Sequence, residues 1–266
     1  PIRYEKWGSC NYVGYRTPPA VCGSILPTAF FIAMRVLGCA PITSFVCALS
    51  IAFDGSFVVH SKYALIDPIL HLHVVLALLT LFLTDYFEAG SGKWFLAVLV
   101  HSFFLALACN IKNTALGLMV LSCFWAFLSS PSIRAFITRC FFNCALYLAV
   151  LFTTTVIHVL LLPYKGTHES FMSTRFYSYL TVPGVKLSLT TKEFIHSVLY
   201  RVVEVILLTF KSTSMIGGKH LSSSTFWEWP IAYARPVKFN TKGEYDMVAM
   251  YNPLLHVIST IFSVVG

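Results

Sequence analysis

The sequence predicts an all-α polytopic membrane protein, and three observations carry that prediction. Of the 266 residues, 57% are hydrophobic and only 11% charged, whereas ordinary soluble domains carry about 25% charged residues. Mean hydropathy is +0.74. Apolar runs of membrane-spanning scale recur over residues 18–162, joined by short connections such as NIKN (110–113). Short links make neighbouring helices antiparallel, and antiparallel neighbours pack as a bundle.

Taken in order, the apolar runs are 18–37, 41–59, 65–84, 94–110, 114–130 and 136–162. A span needs about 20 residues to cross the hydrocarbon layer, so several of these runs are only just long enough. Their connections are GCAP, HSKYA, DYFEAGSGK, NIKN and SSPSIR. The first unit is therefore a transmembrane bundle over 1–162 with about six spans. A seventh apolar run, 253–266, reads as the start of a further transmembrane helix. The chain opens at Pro1 without Met, carries no signal-peptide pattern there, and ends inside an apolar run, so it reads as a piece of a longer protein.

Residues 163–252 differ in character. They hold ten Lys/Arg and six Asp/Glu among Pro, Gly and Ser clusters, which predicts a long aqueous segment. Within it, TKEFIHSVLYRVVEVILLTFK (191–211) places Glu193, His196, Ser197, Tyr200, Arg201 and Glu204 on one helical face. Apolar side chains fill the remainder. Such a helix is expected to lie along the membrane surface.

The chain has 19 Lys and Arg against 11 Asp and Glu, a formal charge of +8. In a polytopic protein that excess reflects loop asymmetry and contact with anionic lipid or phosphate, so no nucleic-acid partner is expected. The eight cysteines lie mostly inside apolar runs with no CxxC pair. They read as small apolar packing residues, not as zinc ligands. HExxH, P-loop and GxSxG patterns are absent, which removes those soluble chemistries.

Orientation follows from Lys and Arg in the short loops. One side collects Arg35, Lys93, Arg134 and Arg139; the other has Lys62 and Lys112. Segment 163–252 then falls on the non-cytoplasmic side, with Lys62 and Lys112 at the same surface. Two cations at one end of one bundle suit an anion such as a lipid-linked phosphate as it leaves the bilayer, although snorkelling of single lysines is the plain alternative.

HSKYALIDPILHLHVV (60–75) holds the most concentrated polarity. Asp67 and His71 are four apart and share a helix face, and Lys62 is close enough in sequence to reach Asp67. His71 and His73 point in roughly opposite directions on a helix, so His60, His71 and His73 are expected to pack and no metal site is predicted. His101, in mid-span, is expected to hydrogen-bond inside the bundle. GGKHLSSSTFWEWPIAYARPVKF (217–239) interleaves Trp227, Trp229, Tyr233 and Phe239 with Lys219, His220, Glu228, Arg235 and Lys238. That pattern fits an interfacial anchor or a platform for sugar or peptide.

Six blocks, in order, resemble the protein O-mannosyltransferase family. YRTPPAVCGSILP (15–27) resembles its Arg-to-Gly-Ser helix, HSKYALIDPIL its Ser-Arg-Tyr-x-Leu-x-Asp helix start, and LACNIKNTAL (107–116) its short Lys-bearing loop. LPYKGTHESFMSTRFYSYL (162–180), LSSSTFWEWPIAYARPVKF (221–239) and YNPLLHVIST (251–260) resemble the family's Leu-Pro-x-x-Gly to Phe-Met-Ser run, its Trp-Pro and Arg-Pro block, and the Asn-Pro start of its next membrane helix. No block is decisive alone; the ordered set is.

The resemblance implies a GT-C type fold in the endoplasmic reticulum membrane. It implies transfer of mannose from dolichyl-phosphate mannose, the lipid donor, to Ser or Thr hydroxyls of secretory proteins with inversion, and no cofactor. Lys62, Lys112 and Arg16 would hold the donor phosphate, with Asp67 and His220 supporting and Trp227, Trp229 and Arg235 on the acceptor and sugar side. The catalytic carboxylate belongs to a first luminal loop expected upstream of Pro1. A homo- or heterodimer with another family member is implied. Lys62 stands where the motif carries arginine, which keeps the charge and loses the bidentate fork. Residues 181–216 leave no room for the sugar-binding-like luminal domain of most eukaryotic members. Alternatives are a GT-C transferase with another acceptor, and a non-catalytic member or a transporter; a transporter would carry broken helices or repeat symmetry, neither of which the sequence displays.

Overall fold

The computed structural model describes residues 12–63, 65–166, 171–181, 190–215, 237–239 and 247–249. It divides into two compact units, one of residues 1–143 with 219–266 and one of 144–218.

The first unit is built on three long helices, α1 (Tyr12–Val36), α4 (Asp67–Thr84) and α5 (Gly92–Ile111), with α4 packed against both of the others. Their apolar content is the reason they are helices of this length, since backbone groups in hydrocarbon must be satisfied within the segment. Leu26, Ala29 and Ala33 of α1 bury against Leu72 and Val75 of α4. Small residues on α1 let the two axes approach closely. Beyond the end of α4, the Tyr86 hydroxyl donates to the carbonyl of Val36 at the end of α1. Helices α1 and α4 therefore run parallel, and α5 returns antiparallel to both.

Between α1 and α4 lie α2 (Pro41–Ala52) and α3 (Gly55–Lys62). Residues 41–59 were expected to form one span; instead the two helices are bent by 53° to each other. The cause is local. Asp54 Oδ1 accepts from the backbone N–H groups of Ser56 at 2.9 Å and Phe57 at 3.1 Å, an N-cap that starts a new helix instead of continuing the old one. Asp54-Gly55 is also a turn dipeptide. A broken helix was among the features expected of a transporter, and among the described residues one is present, with a capping side chain to account for it.

A 3-10 turn (Asn113–Ala115) leads into α6 (Leu116–Ser129), and α7 (Ile133–Leu161) follows. Four described helices, α1, α4, α5 and α7, are long and apolar enough to cross a membrane; α2 with α3 makes a fifth if the bent pair is one span, and α6 is shorter. A two-stranded antiparallel ribbon, β1 (Val237–Phe239) and β2 (Met247–Ala249), pairs Lys238 with Val248, and β2 lies against α3.

The second unit holds the later part of α7, the short α8 (Thr174–Ser178) and α9 (Thr191–Met215), four residues longer than the 191–211 of the sequence reading. Val198 and Val202 of α9 bury against Val159 of α7. Its polar face receives α8: Glu204 accepts from the Ser173 N–H at 2.6 Å and the Ser173 hydroxyl at 2.8 Å, while the Arg175 guanidinium sits 4.5 Å over the Tyr200 ring. Ser197 and Arg201, on the predicted polar face, are buried. Ile195, Leu199, Val203 and Leu207 form a second, exposed apolar row. At its start, Thr190 and Glu193 exchange bonds in a capping box: the Thr190 N–H donates to Glu193 Oε2 at 2.9 Å, and the Glu193 N–H reaches the Thr190 hydroxyl at 3.4 Å.

Candidate functional site

The end of the first unit where α3 stops, α4 starts and α5 stops carries most of the residues singled out from the sequence. Asp67 is the first residue of α4, where a carboxylate is favoured by the unpaired N–H groups and the helix dipole. Lys112 caps the end of α5. The two meet: Lys112 Nζ lies 2.9 Å from Asp67 Oδ1. Lys62 ends α3, is exposed, and makes no ion pair among the described residues.

The suggested reach of Lys62 to Asp67 is not what the structure contains. The break at 63–66 takes Lys62 off the helix that Asp67 begins, and the carboxylate turns to Lys112 instead. The two lysines consequently differ. The charge of Lys112 is offset by a partner, whereas Lys62 has no ion-pair partner among the described residues. Arg16 lies on exposed α1, seven residues before Gly23, and Gly23 touches Ser61 next to Lys62. That puts Arg16 about 10 Å along α1 from the contact.

His60 and His73 are occupied locally, whereas the buried Nδ1 of His71 has no hydrogen-bond partner among the described residues. His60 Nδ1 lies 2.7 Å from the Ser56 carbonyl, and His73 Nδ1 lies 2.7 Å from the Ile69 carbonyl. His71 faces Phe57 of α3 at 4.9 Å while His73 faces Phe104 of α5 at 6.3 Å, the opposed directions expected for positions two apart. Among the described residues no three His, Cys, Asp or Glu side chains come together as a metal site.

Beside Lys62 a groove of about 370 Å³ opens between α1 and the α2–α3 elbow. Gly23 and Pro27 form one wall, Ile51 and Phe57 the other, and Ser61 and Lys62 one edge. The α1–α3 contact is tight. A Cβ added to Gly23 would sit 2.0 Å from Ser61 Oγ.

Two buried polar clusters had only partial sequence signals. His101 bonds the Ala77 carbonyl at 2.9 Å and Ser122 Oγ at 2.7 Å, and Asn143 joins Ser122 at 3.0 Å and accepts from Ser102 at 2.7 Å. This network ties α4, α5, α6 and α7 together, as the mid-span position of His101 suggested. Arg139, counted from the sequence as a loop cation, is 4% exposed. Its guanidinium donates to Asp85 Oδ1 and Ser129 Oγ, each at 2.8 Å, and lies 5.8 Å over the Trp94 ring. Arg35, Lys93 and Arg134 are the loop cations that remain on that side. His220, Trp227, Trp229 and Arg235 lie outside the described residues.

The family model described as Dolichyl-phosphate-mannose-protein mannosyltransferase matches residues 2–165. The chain belongs to this family. It is 26% identical over 196 residues to Protein O-mannosyl-transferase 2 of Danio rerio, covering 66% of this chain and 25% of that protein. This family member also matches the structure of the S. cerevisiae protein O-mannosyltransferase Pmt1-Pmt2 complex bound to the sugar donor. There the TM-score is 0.55 at 22% identity, over 66% of this chain and 26% of that one. The structural likeness establishes the fold, a GT-C membrane bundle. The chain spans about a quarter of the length of either relative.

Proposed function

We propose that this mannosyltransferase-family chain takes part in transferring mannose from dolichyl-phosphate mannose to Ser and Thr hydroxyls of secretory proteins, in the endoplasmic reticulum membrane. The family match over residues 2–165 carries the reading. It is supported by Lys62, a cation that makes no ion pair among the described residues, at the edge of an apolar groove, a combination suited to a phosphate whose tail stays in lipid.

In this reading the acceptor hydroxyl oxygen attacks C1 of mannose, the bond from C1 to the phosphate oxygen breaks, and dolichyl phosphate leaves with both electrons. The hydroxyl proton passes to a carboxylate base, assigned to the first luminal loop before Pro1. Attack opposite the leaving group inverts the anomeric centre. Lys62 meets the charge that develops on the phosphate. Arg16 adds positive charge at the same end, and Lys112 contributes in proportion to how far Asp67 releases it. The reading requires no metal or cofactor. His220, Trp227, Trp229 and Arg235 are assigned to the acceptor and sugar side, α9 to the membrane surface, and a second family member to a dimer.

The test uses the full-length protein in membranes, with dolichyl-phosphate mannose and a Ser/Thr peptide. Mannosyl peptide with inverted configuration is the expected product. Absence of transfer where an established family member works under the same conditions overturns the enzymatic reading.

A further inference from the structure

Where α5 and α7 begin, two helix starts come together: Trp94 in the first turn of α5 shares a buried cluster with Ala135 in the first turn of α7. Ser91 Oγ accepts from the Trp94 N–H and Ser132 Oγ from the Ala135 N–H, both at 3.2 Å. A helix start carries partial positive charge and is stabilised by Asp or Glu. Neither first turn holds an acidic residue. Lys93 and Arg134 stand there instead, both exposed and neither in an ion pair among the described residues. Donors without acceptors gather at the same corner. Trp94 is 2% and Arg139 4% exposed, and the indole N–H of the one and the Nε–H of the other have no partner among the described residues. The guanidinium lies 5.8 Å over the Trp94 ring, so the two belong to one place. The Ser130 hydroxyl, adjacent to the Ser129 that Arg139 bonds at 2.8 Å, is likewise unmatched. Buried donors left unpaired are costly, and three in one corner call for an acceptor. Asp85 is already committed, its two oxygens meeting Arg139 and the Trp125 indole at 2.8 Å each. Glu88, the other carboxylate of this connection, is exposed and makes no ion pair among the described residues.

We infer that this corner is a site for the headgroup phosphate of an anionic phospholipid. It goes beyond the donor reading and does not depend on it, because Lys93 and Lys112 stand at opposite ends of α5, about 28 Å apart along the helix. Phosphate oxygens only accept, which suits a set made of helix starts, cations and unmatched donors. Lys93 and Arg134 form the exposed mouth, and the buried donors mark the corner as incomplete without its ligand. Position supplies the tail. Both α5 and α7 are long and apolar enough to cross a membrane, so their starts stand at headgroup level. Phe95, Leu96 and Ile137 of the same two helices are exposed apolar side chains near these starts, a surface for acyl chains. With Asp85 committed, two cations face one remaining carboxylate, which favours a headgroup of net negative charge over a zwitterionic one. The loop cations assign this end to the cytoplasmic side, whose leaflet carries the anionic lipid.

The test uses the full-length protein in detergent, stripped of lipid, with phosphatidylinositol carrying a diazirine near its glycerol and crosslinks mapped by mass spectrometry. Crosslinks are expected within residues 92–99 and 133–140. Unlabelled phosphatidylinositol should compete, whereas phosphatidylcholine and inorganic phosphate at equal concentration should not. Lys93→Gln with Arg134→Gln should weaken binding about thirtyfold, and Trp94→Phe, which removes only the indole N–H, about fivefold. Both variants should keep the far-UV spectrum and thermal transition of the lipid-free parent. Arg35→Gln, which removes a cation outside the corner, should change binding little. Crosslinks confined to other segments overturn the site, as does full binding by the double variant. A loss for Arg35→Gln as large as for the double variant overturns a localised site in favour of general charge. Equal competition by phosphatidylcholine overturns the anionic headgroup, and competition by inorganic phosphate overturns the lipid.

Discussion

Lys112 Nζ and Asp67 Oδ1, 45 residues apart in sequence, are joined at 2.9 Å and so tie the end of α5 to the start of α4. Both side chains are partly exposed, at 44% and 26%, which places the pair among those contributing about 0.2–1 kcal/mol. A double-mutant cycle of Asp67→Asn and Lys112→Met, read as thermal unfolding in detergent, is expected to give a coupling in that range. A coupling near zero would mean the two groups are separately solvated. Asp67→Asn also frees Lys112, so the donor KM is expected to hold or fall while stability drops.

Lys62 has no such partner among the described residues, and its removal is expected to act on donor use. Lys62→Ala should raise the donor KM about tenfold, a loss of about 1.4 kcal/mol of binding, with expression unchanged. Lys62→Arg should retain activity, since the charge stays and a fork is added. Equal rates for Lys62→Ala and the parent at limiting donor would remove the residue from phosphate binding.

Gly23 is needed for space. A side chain there meets Ser61, whose Oγ would be 2.0 Å and Cβ 2.5 Å from the new methyl. Gly23→Ala is expected to destabilise by about 1–3 kcal/mol through overpacking. Combining it with Ser61→Gly should restore most of that loss, as a thermal-shift series would record. Failure of the second change to rescue the first would indicate that the helices separate instead of clashing at this point.

Arg139 is buried and holds both Asp85 and Ser129. Arg139→Ala leaves Asp85 with the Trp125 indole N–H, at 2.8 Å, as its remaining strong partner. Breaking a buried pair costs about 3–5 kcal/mol, and the partial exposure of Asp85, 29%, puts this one at the lower end. Protein yield and unfolding temperature should fall more for Arg139→Ala than for the double change Arg139→Met with Asp85→Leu, which leaves no stranded charge.

The α9 capping box is expected to respond to acid. Bonds from the Thr190 N–H and hydroxyl hold the exposed Glu193 carboxyl below its ordinary value. The folded state thus binds its proton less readily than the unfolded chain. The contribution to stability is complete above the ordinary glutamate titration, about pH 4.3, and is lost as pH falls through the lower folded value. Amide exchange at the first turn of α9 should accelerate over that window, and Glu193→Gln should abolish the acid dependence.

The long helices were legible because length and apolar content suffice to specify them: α1, α4, α5 and α7 all fall on runs evident in the sequence. Residues 41–59 misled because their overall hydropathy hides one carboxylate. Asp54-Gly55 was the available signal, and a capping side chain outweighs the apolar residues around it. Gathering Lys62, Asp67 and Lys112 at one end followed from short links and antiparallel neighbours. Which of them pair did not, since that depends on how α5 is rotated about its axis against α4, a matter of side-chain packing that spacing alone does not encode. The same holds for Arg139 and Asp85, 54 residues apart.

The elbow at Asp54 also bears on bilayer thickness. With α2 along the membrane normal, its 12 residues rise about 18 Å, and the 8 residues of α3, inclined at 53°, add about 7 Å. Their sum, about 25 Å, falls short of the roughly 30 Å hydrocarbon layer. A span this short is matched by local thinning of the bilayer, by snorkelling of flanking side chains or by association with a neighbour. Where the bilayer thins, lipid-borne phosphates come nearer to Lys62 at the end of α3.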